Sequence, residues 1–199
     1  HGSFIGILGK TGSGKTTLAN ILAKFYSIPD KKIFFNDIDI NDIERKSFYE
    51  KFAYVMQDDY IYDNTIKHNI ELYKIYNKSD IKEATEKAEL FETIEKLDKK
   101  YNTLIGDNGI KLSGGQKQRL ILSRNIITMP NILIIDNGFT GLDIDTRTKV
   151  IENLNDRKNK TTLIIISSMM EDIKNADKIY KLENKTLVEI KMEQEVYDD

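Results

Sequence analysis

The run Gly9-Lys10-Thr11-Gly12-Ser13-Gly14-Lys15-Thr16 constrains this chain more than any other feature. Phe4-Ile5-Gly6-Ile7-Leu8 before it is an apolar run of strand length. After it, Leu18, Ile21, Leu22 and Phe25 stand at helical spacing and give one apolar face. Strand, glycine-rich loop and helix form the context in which G-x-x-x-x-G-K-[ST] holds phosphate. Gly9, Gly12 and Gly14 let backbone N–H groups turn inward around phosphate oxygens, as do the amides of Thr11 and Ser13. The helix N-terminus adds its positive dipole end, at Thr16 and Thr17. Lys15 is expected to reach the β- and γ-phosphates, and the Thr16 hydroxyl to sit on Mg²⁺. The pattern predicts a nucleoside-triphosphate site.

Bulk properties narrow the class. A chain of 199 residues suits one α/β domain, with room for an inserted subdomain. The formal net charge of -2 argues against a general nucleic-acid-binding surface. Cysteine is absent, so neither disulfides nor thiol chemistry enter, which fits a reducing compartment. The aliphatic runs at 132–135 and 163–166 are of strand length, far short of the roughly 18 residues of a membrane span. No segment reads as a leader peptide. His1 is either native or the remnant of a tag.

Along the chain, residues 32–36 and 52–56 read as strands, the second running into Gln57. The stretch 65–100 reads as helical. In it Ile81, Ala84, Ala88, Phe91, Ile94 and Leu97 share one face, and Lys and Glu occupy the rest. Leu112-Ser113-Gly114-Gly115-Gln116 precedes a helix expected from Gln116 to about Thr128, with Ser113 or a neighbour as its cap. Pro130 closes that helix. Residues 131–136 form a buried strand, 143–156 a helix and 162–166 a third buried strand. Residues 179–182 and 187–190 suggest a strand pair, and 191–199 an acidic tail. Strands alternating with helices predict a doubly wound, mainly parallel sheet with ligands at the carboxyl ends of its strands. Gly9, Asp136 and Ser167 fall at those ends. A carboxylate there, at Asp136, can hold Mg²⁺. Gln57, at the end of another strand, could touch the metal or the attacking water, or simply face solvent.

Taken together, the phosphate loop, Gln57, Ile132–Asp136, Leu112–Gln116 and Thr140-Gly141-Leu142-Asp143 resemble the nucleotide-binding domain of ATP-binding-cassette transporters, over residues 2–190. The resemblance implies a P-loop NTPase fold with a helical subdomain over 64–128. It implies two such domains sandwiching two ATP molecules. Ser113, Gly114, Gly115 and Gln116 would then serve a partner's nucleotide, Asp143 would lie at the interface, and Thr16, Gln57 and Asp136 would hold Mg²⁺. Thr103–Gly109 resembles the exporter-type loop facing transmembrane domains, although this chain has Leu104 or Asp107 where that loop carries Glu. The implied setting is the cytoplasmic face of a membrane, with no nucleic-acid partner.

Three departures stand out. Asn137 replaces the Glu expected after Asp136, followed by Gly138 and Phe139 in place of Pro-Thr or Pro-Ser. Ser168 stands where the family has a His. Both changes fall in the catalytic set at the chain's own P-loop, and the resemblance therefore implies a slow site beside an intact signature motif, Leu112–Gln116. A heterodimer with one competent site fits that pattern; an active homodimer or a soluble non-transport switch are the alternatives. Lastly, only eight residues precede Gly9, so the front strands and their adenine-stacking aromatic are expected to be missing from this sequence.

Overall fold

The computed structural model describes residues 2–56, 59–72, 74–109, 111–156 and 161–190. In chain order the elements are β1 (Phe4–Leu8), α1 (Lys15–Leu22), β2 (Phe34–Phe35), β3 (Ile38–Asp39), α2 (Arg45–Lys51) and β4 (Phe52–Val55). Then come α3 (Ile66–Glu71), α4 (Lys78–Lys87), α5 (Phe91–Glu95), α6 (Gly114–Ile126) and β5 (Ile132–Asp136). The chain closes with α7 (Ile144–Leu154), β6 (Thr162–Ser167), β7 (Lys178–Glu183) and β8 (Thr186–Ile190).

Six strands form one sheet in the order β4-β5-β6-β1-β7-β8. The first five run parallel, and β8 returns antiparallel to β7. The aliphatic runs build it because both faces are covered. On one face Ile7, Ile134 and Ile166 pack with Ala19 of α1 and with Ala23, its C-cap. On the other, Leu133, Ile135, Leu163 and Ile165 pack with Leu120 of α6 and Val150 of α7. The register sets Leu8 beside Ser167 and Asp136 beside Ile166. Three loops that bear polar residues therefore leave the sheet at one edge.

Three elements differ from the pattern-based expectation. The strand expected over 32–36 is a short hairpin of β2 and β3, turned by Asn36 and Asp37 at φ 48° and 66°. The helical stretch 65–100 is broken into α3, α4 and α5 by left-handed residues at Leu72 and Glu89. Ile81, Ala84, Ala88 and Ile94 are buried, and Leu97 packs partly buried on the same cluster. The helix expected from Gln116 begins two residues earlier, at Gly114, because Ser113 caps it. The acidic tail at 191–199 lies outside the described residues.

Candidate functional site at the phosphate loop

The loop after β1 is pinned at its start and curled at its end. Gly9 N donates to Ser167 O at 3.1 Å, and Ser13 N to Lys10 O at 3.1 Å. Gly14 then takes φ 98°, a left-handed turn that a side chain resists, and becomes the N-cap of α1 with no side-chain cap. The first-turn amides of α1 are thereby left for another acceptor. Lys15 is folded back, its Nζ donating to Gly9 O at 2.8 Å and Lys10 O at 3.0 Å. Burial lowers the pKa of this ammonium, and the nearby Asp136 opposes that shift.

Asp136 is fully buried at the end of β5. The Tyr54 hydroxyl stands 3.5 Å from its Oδ2, and Oδ1 has no hydrogen-bond partner among the described residues. Ser13 Oγ is another buried atom without a partner there. A buried carboxylate oxygen left unsatisfied costs free energy unless a cation or water meets it. Asp136 and the Thr16 hydroxyl are oxygen donors of the kind Mg²⁺ selects, and the loop supplies an anion cradle beside them. The residues present thus fit a magnesium-bound phosphate chain.

A cleft of about 450 Å³ joins these groups. Thr11, Gly12, Gly14, Lys15, Thr16 and Thr17 line one wall, and Asn137, Thr140 and Ser168 the other. Asn137 leaves β5 at φ 49°, with its N–H on Ile166 O at 2.9 Å. Its carbonyl accepts from Thr140 Oγ1 at 2.8 Å. Phe139 beside it is buried in the core. Ser168 follows a residue fixed by two hydrogen bonds. The Ser167 hydroxyl donates to Asp172 Oδ2 at 2.5 Å and accepts from Met169 N at 3.0 Å. Asp172 in turn pairs with Arg147 at 3.2 Å.

The signature residues form a separate corner. Ser113 Oγ accepts from Gln116 N at 3.2 Å, and Gln116 Oε1 accepts from Ser113 N at 2.9 Å, a reciprocal capping box on α6. Gly115 lies against the next loop so closely that a Cβ there would meet Gly141 O at 2.8 Å. That loop ends on Asp143, which caps α7 by accepting from Thr146 N at 2.9 Å. This hydrogen bond holds the Asp143 carboxyl below its ordinary pKa. Ser113, Gly114, Gly115, Gln116 and Asp143 do not line the phosphate cleft. Gln57 lies outside the described residues.

Sequence reasoning missed two supports. Tyr54 shares the α1-facing side of β4 with Phe52, and its hydroxyl reaches Asn20 Oδ1 at 3.2 Å as well as Asp136. Strand alternation could have found it. Arg124, on α6, is buried and donates to Tyr60 O at 2.8 Å, Asn69 O at 2.8 Å and Asn69 Oδ1 at 3.1 Å, with Asp59 at 3.5 Å. It ties the segment after β4 to α3 and α6, and only the tertiary fold reveals that.

Known proteins share this arrangement. The family model for ABC transporters matches residues 1–140. The multidrug resistance-like ATP-binding protein MdlA of Buchnera aphidicola subsp. Baizongia pistaciae is 35% identical over 95% of this chain and 33% of its own length. An ATP-dependent lipid A-core flippase of Vibrio vulnificus (strain CMCP6) is 31% identical over the same shares. A putative multidrug export ATP-binding/permease protein of Bacillus subtilis, YgaD, is 31% identical over 100% of this chain and 34% of its own length. The chain thus spans about a third of the curated relatives it matches. A solved bacterial Atm1-family ABC exporter with ATP bound superposes with a TM-score of 0.87 at 29% identity, over 94% of this chain and 33% of that one. This chain belongs to the ABC transporter family, as a nucleotide-binding domain of the exporter type.

Proposed function

We propose that this domain binds ATP to drive a membrane exporter, but hydrolyses it slowly at its own P-loop. Its signature corner would complete the site of a second, different nucleotide-binding domain. Gly9 and Thr11 to Thr17 would hold the triphosphate. Thr16 and Asp136 would hold Mg²⁺, joined by Gln57. When bound, that ion neutralises charge on the β- and γ-phosphate oxygens. Ser113, Gly114, Gly115 and Gln116 would offer a hydroxyl, a carboxamide and exposed amides to the partner's γ-phosphate, and Asp143 would lie where the two domains meet. Closure of the pair would move transmembrane domains, with this domain at the cytoplasmic face of the membrane. The names of its relatives, which speak of multidrug export and of lipid A-core flipping, support an exporter.

One observation carries the slow-site reading: Asn137 and Ser168 line the same cleft as Lys15 and Thr16. Asn137 carries an amide, and an amide accepts no proton at neutral pH. Ser168 can donate a hydrogen bond but cannot carry the charge of a histidinium. Loss of a general base typically lowers rate by about 10²–10⁴. The test is ATP turnover by the full protein against its Asn137→Glu/Ser168→His variant, with ATP binding checked in both. A turnover gain of about 10²-fold or more at this site, with binding retained, is expected. Equal turnover would refute slow hydrolysis and favour an active homodimer.

A further inference from the structure

Next to the far wall of the phosphate cleft stands an ion pair that does not line the cleft itself. Arg147 of α7 reaches Asp172 Oδ1 at 3.2 Å, and the two side chains are only 14% and 5% exposed. Asp172 also accepts from the buried Ser167 hydroxyl through Oδ2 at 2.5 Å, so both of its oxygens are engaged. The other arm of the guanidinium, Nη2, donates to Leu142 O at 3.4 Å. One planar cation thus spans two loops that are distant in sequence. The loop after β5 carries Thr140, the loop after β6 carries Ser168, and both residues line the cleft. Ser167 extends the contacts to the opposite wall, because its carbonyl accepts from Gly9 N at 3.1 Å. A buried ion pair gains little stability, since the cost of desolvation offsets most of the attraction. What it supplies is geometry: a rigid fork of donors sets the spacing of the groups it holds.

We propose, on the reading of the phosphate loop given above, that Arg147 and Asp172 are positioning residues for the terminal phosphate of the bound nucleotide. They clasp the loops that bear Thr140 and Ser168 and so fix the wall that stands across the cleft from the phosphate loop. The inner phosphates rest on the amides of the phosphate loop and do not depend on that wall. The outermost phosphate reaches across the cleft and does. Neither Arg147 nor Asp172 touches the nucleotide; the pair acts through the two loops it joins.

Equilibrium binding by the full protein tests it, with AMP-PNP, a triphosphate that resists hydrolysis, against ADP, which lacks the terminal phosphate. Arg147→Gln/Asp172→Asn removes both charges, so neither is left buried and unpaired. AMP-PNP affinity should fall about five- to twentyfold, and ADP affinity should stay within about twofold. Equal losses for both nucleotides would make the pair a support of the fold alone, and no loss would leave it without a role at the cleft; either overturns the proposal. Arg147→Lys keeps a cation beside Asp172 but lacks the fork that also reaches Leu142 O. It should lose affinity for AMP-PNP alone, by about three- to fivefold, and it decides the matter if the double variant does not fold. Unchanged AMP-PNP affinity in Arg147→Lys would show that one loop suffices and overturn the clasp. The phosphate-loop reading is checked separately by Lys15→Ala: if that variant binds both nucleotides as before, the reading itself fails, whatever the pair does.

Discussion

Two glycine-rich turns in this molecule open helices, and they finish those helices in opposite ways. At α1 the N-cap is Gly14, which has no side chain to offer, and the first turn is left uncapped from within. At α6 the N-cap is Ser113, which closes a reciprocal pair of hydrogen bonds with Gln116. Around α1 lie a buried Lys15 hydrogen-bonded to carbonyls of its own loop and an Asp136 oxygen without a partner. Around α6 the backbone is packed, Gly115 against Gly141, and the next loop is capped by Asp143. One turn is incomplete until a ligand arrives. The other is internally hydrogen-bonded and closely packed, and presents a preformed surface. A loop that wraps a ligand needs unsatisfied donors, whereas a loop that meets a ligand held elsewhere needs a shape that does not change.

The strongest way to break this contrast is at Lys15. Replacement by Ala removes the buried cation from the ligand-dependent turn, and ATP affinity should fall by about 100-fold or more in equilibrium binding. Retained affinity would mean that the loop amides suffice. A smaller effect is expected from Gly115→Ala at the packed turn. The added methyl must displace the Gly141 carbonyl, at a cost of about 1–3 kcal/mol, while ATP binding at the chain's own P-loop stays near normal. Thermal unfolding with and without ATP separates the two effects. The smallest belongs to Ser113→Ala, which deletes half of the capping box. A loss of about 1 kcal/mol, or roughly 2–4 °C in Tm, is expected. If Ser113→Ala weakened ATP binding by this isolated domain as much as Lys15→Ala, the two turns would not be independent.

Much of this was legible in the sequence because it is local. Leu133 to Ile135 announce a strand buried on both faces, and Ser113 with Gln116 three residues on announces a cap. The phosphate loop needed only its spacing. What stayed hidden depends on groups distant in sequence or on backbone that composition does not mark. Leu72 and Glu89 break the helical stretch in left-handed conformations without any Gly or Pro to signal it. Tyr54 beside Asp136, and Arg124 on Tyr60 and Asn69, require the sheet and helices to be assembled first. The meeting of Asn137 with Ser168 at one cleft was implied by the resemblance, and its cause is the pairing of β5 with β6, an order that the alternation of strands and helices did not specify.

The strand order also bears on how the chain is made. β1 is synthesised well before its neighbours on the sheet, β6 and β7, with Phe4 paired to Leu163 and Ile7 to Tyr180. At about 5–20 residues per second, a ribosome takes on the order of ten to thirty seconds to bring those neighbours out. Through that interval an aliphatic strand and the loop behind it have no edge to join, and closing so long a span is slow on entropic grounds. The nucleotide site therefore closes only after β6 and β7 have emerged, and ATP can favour only the finished fold.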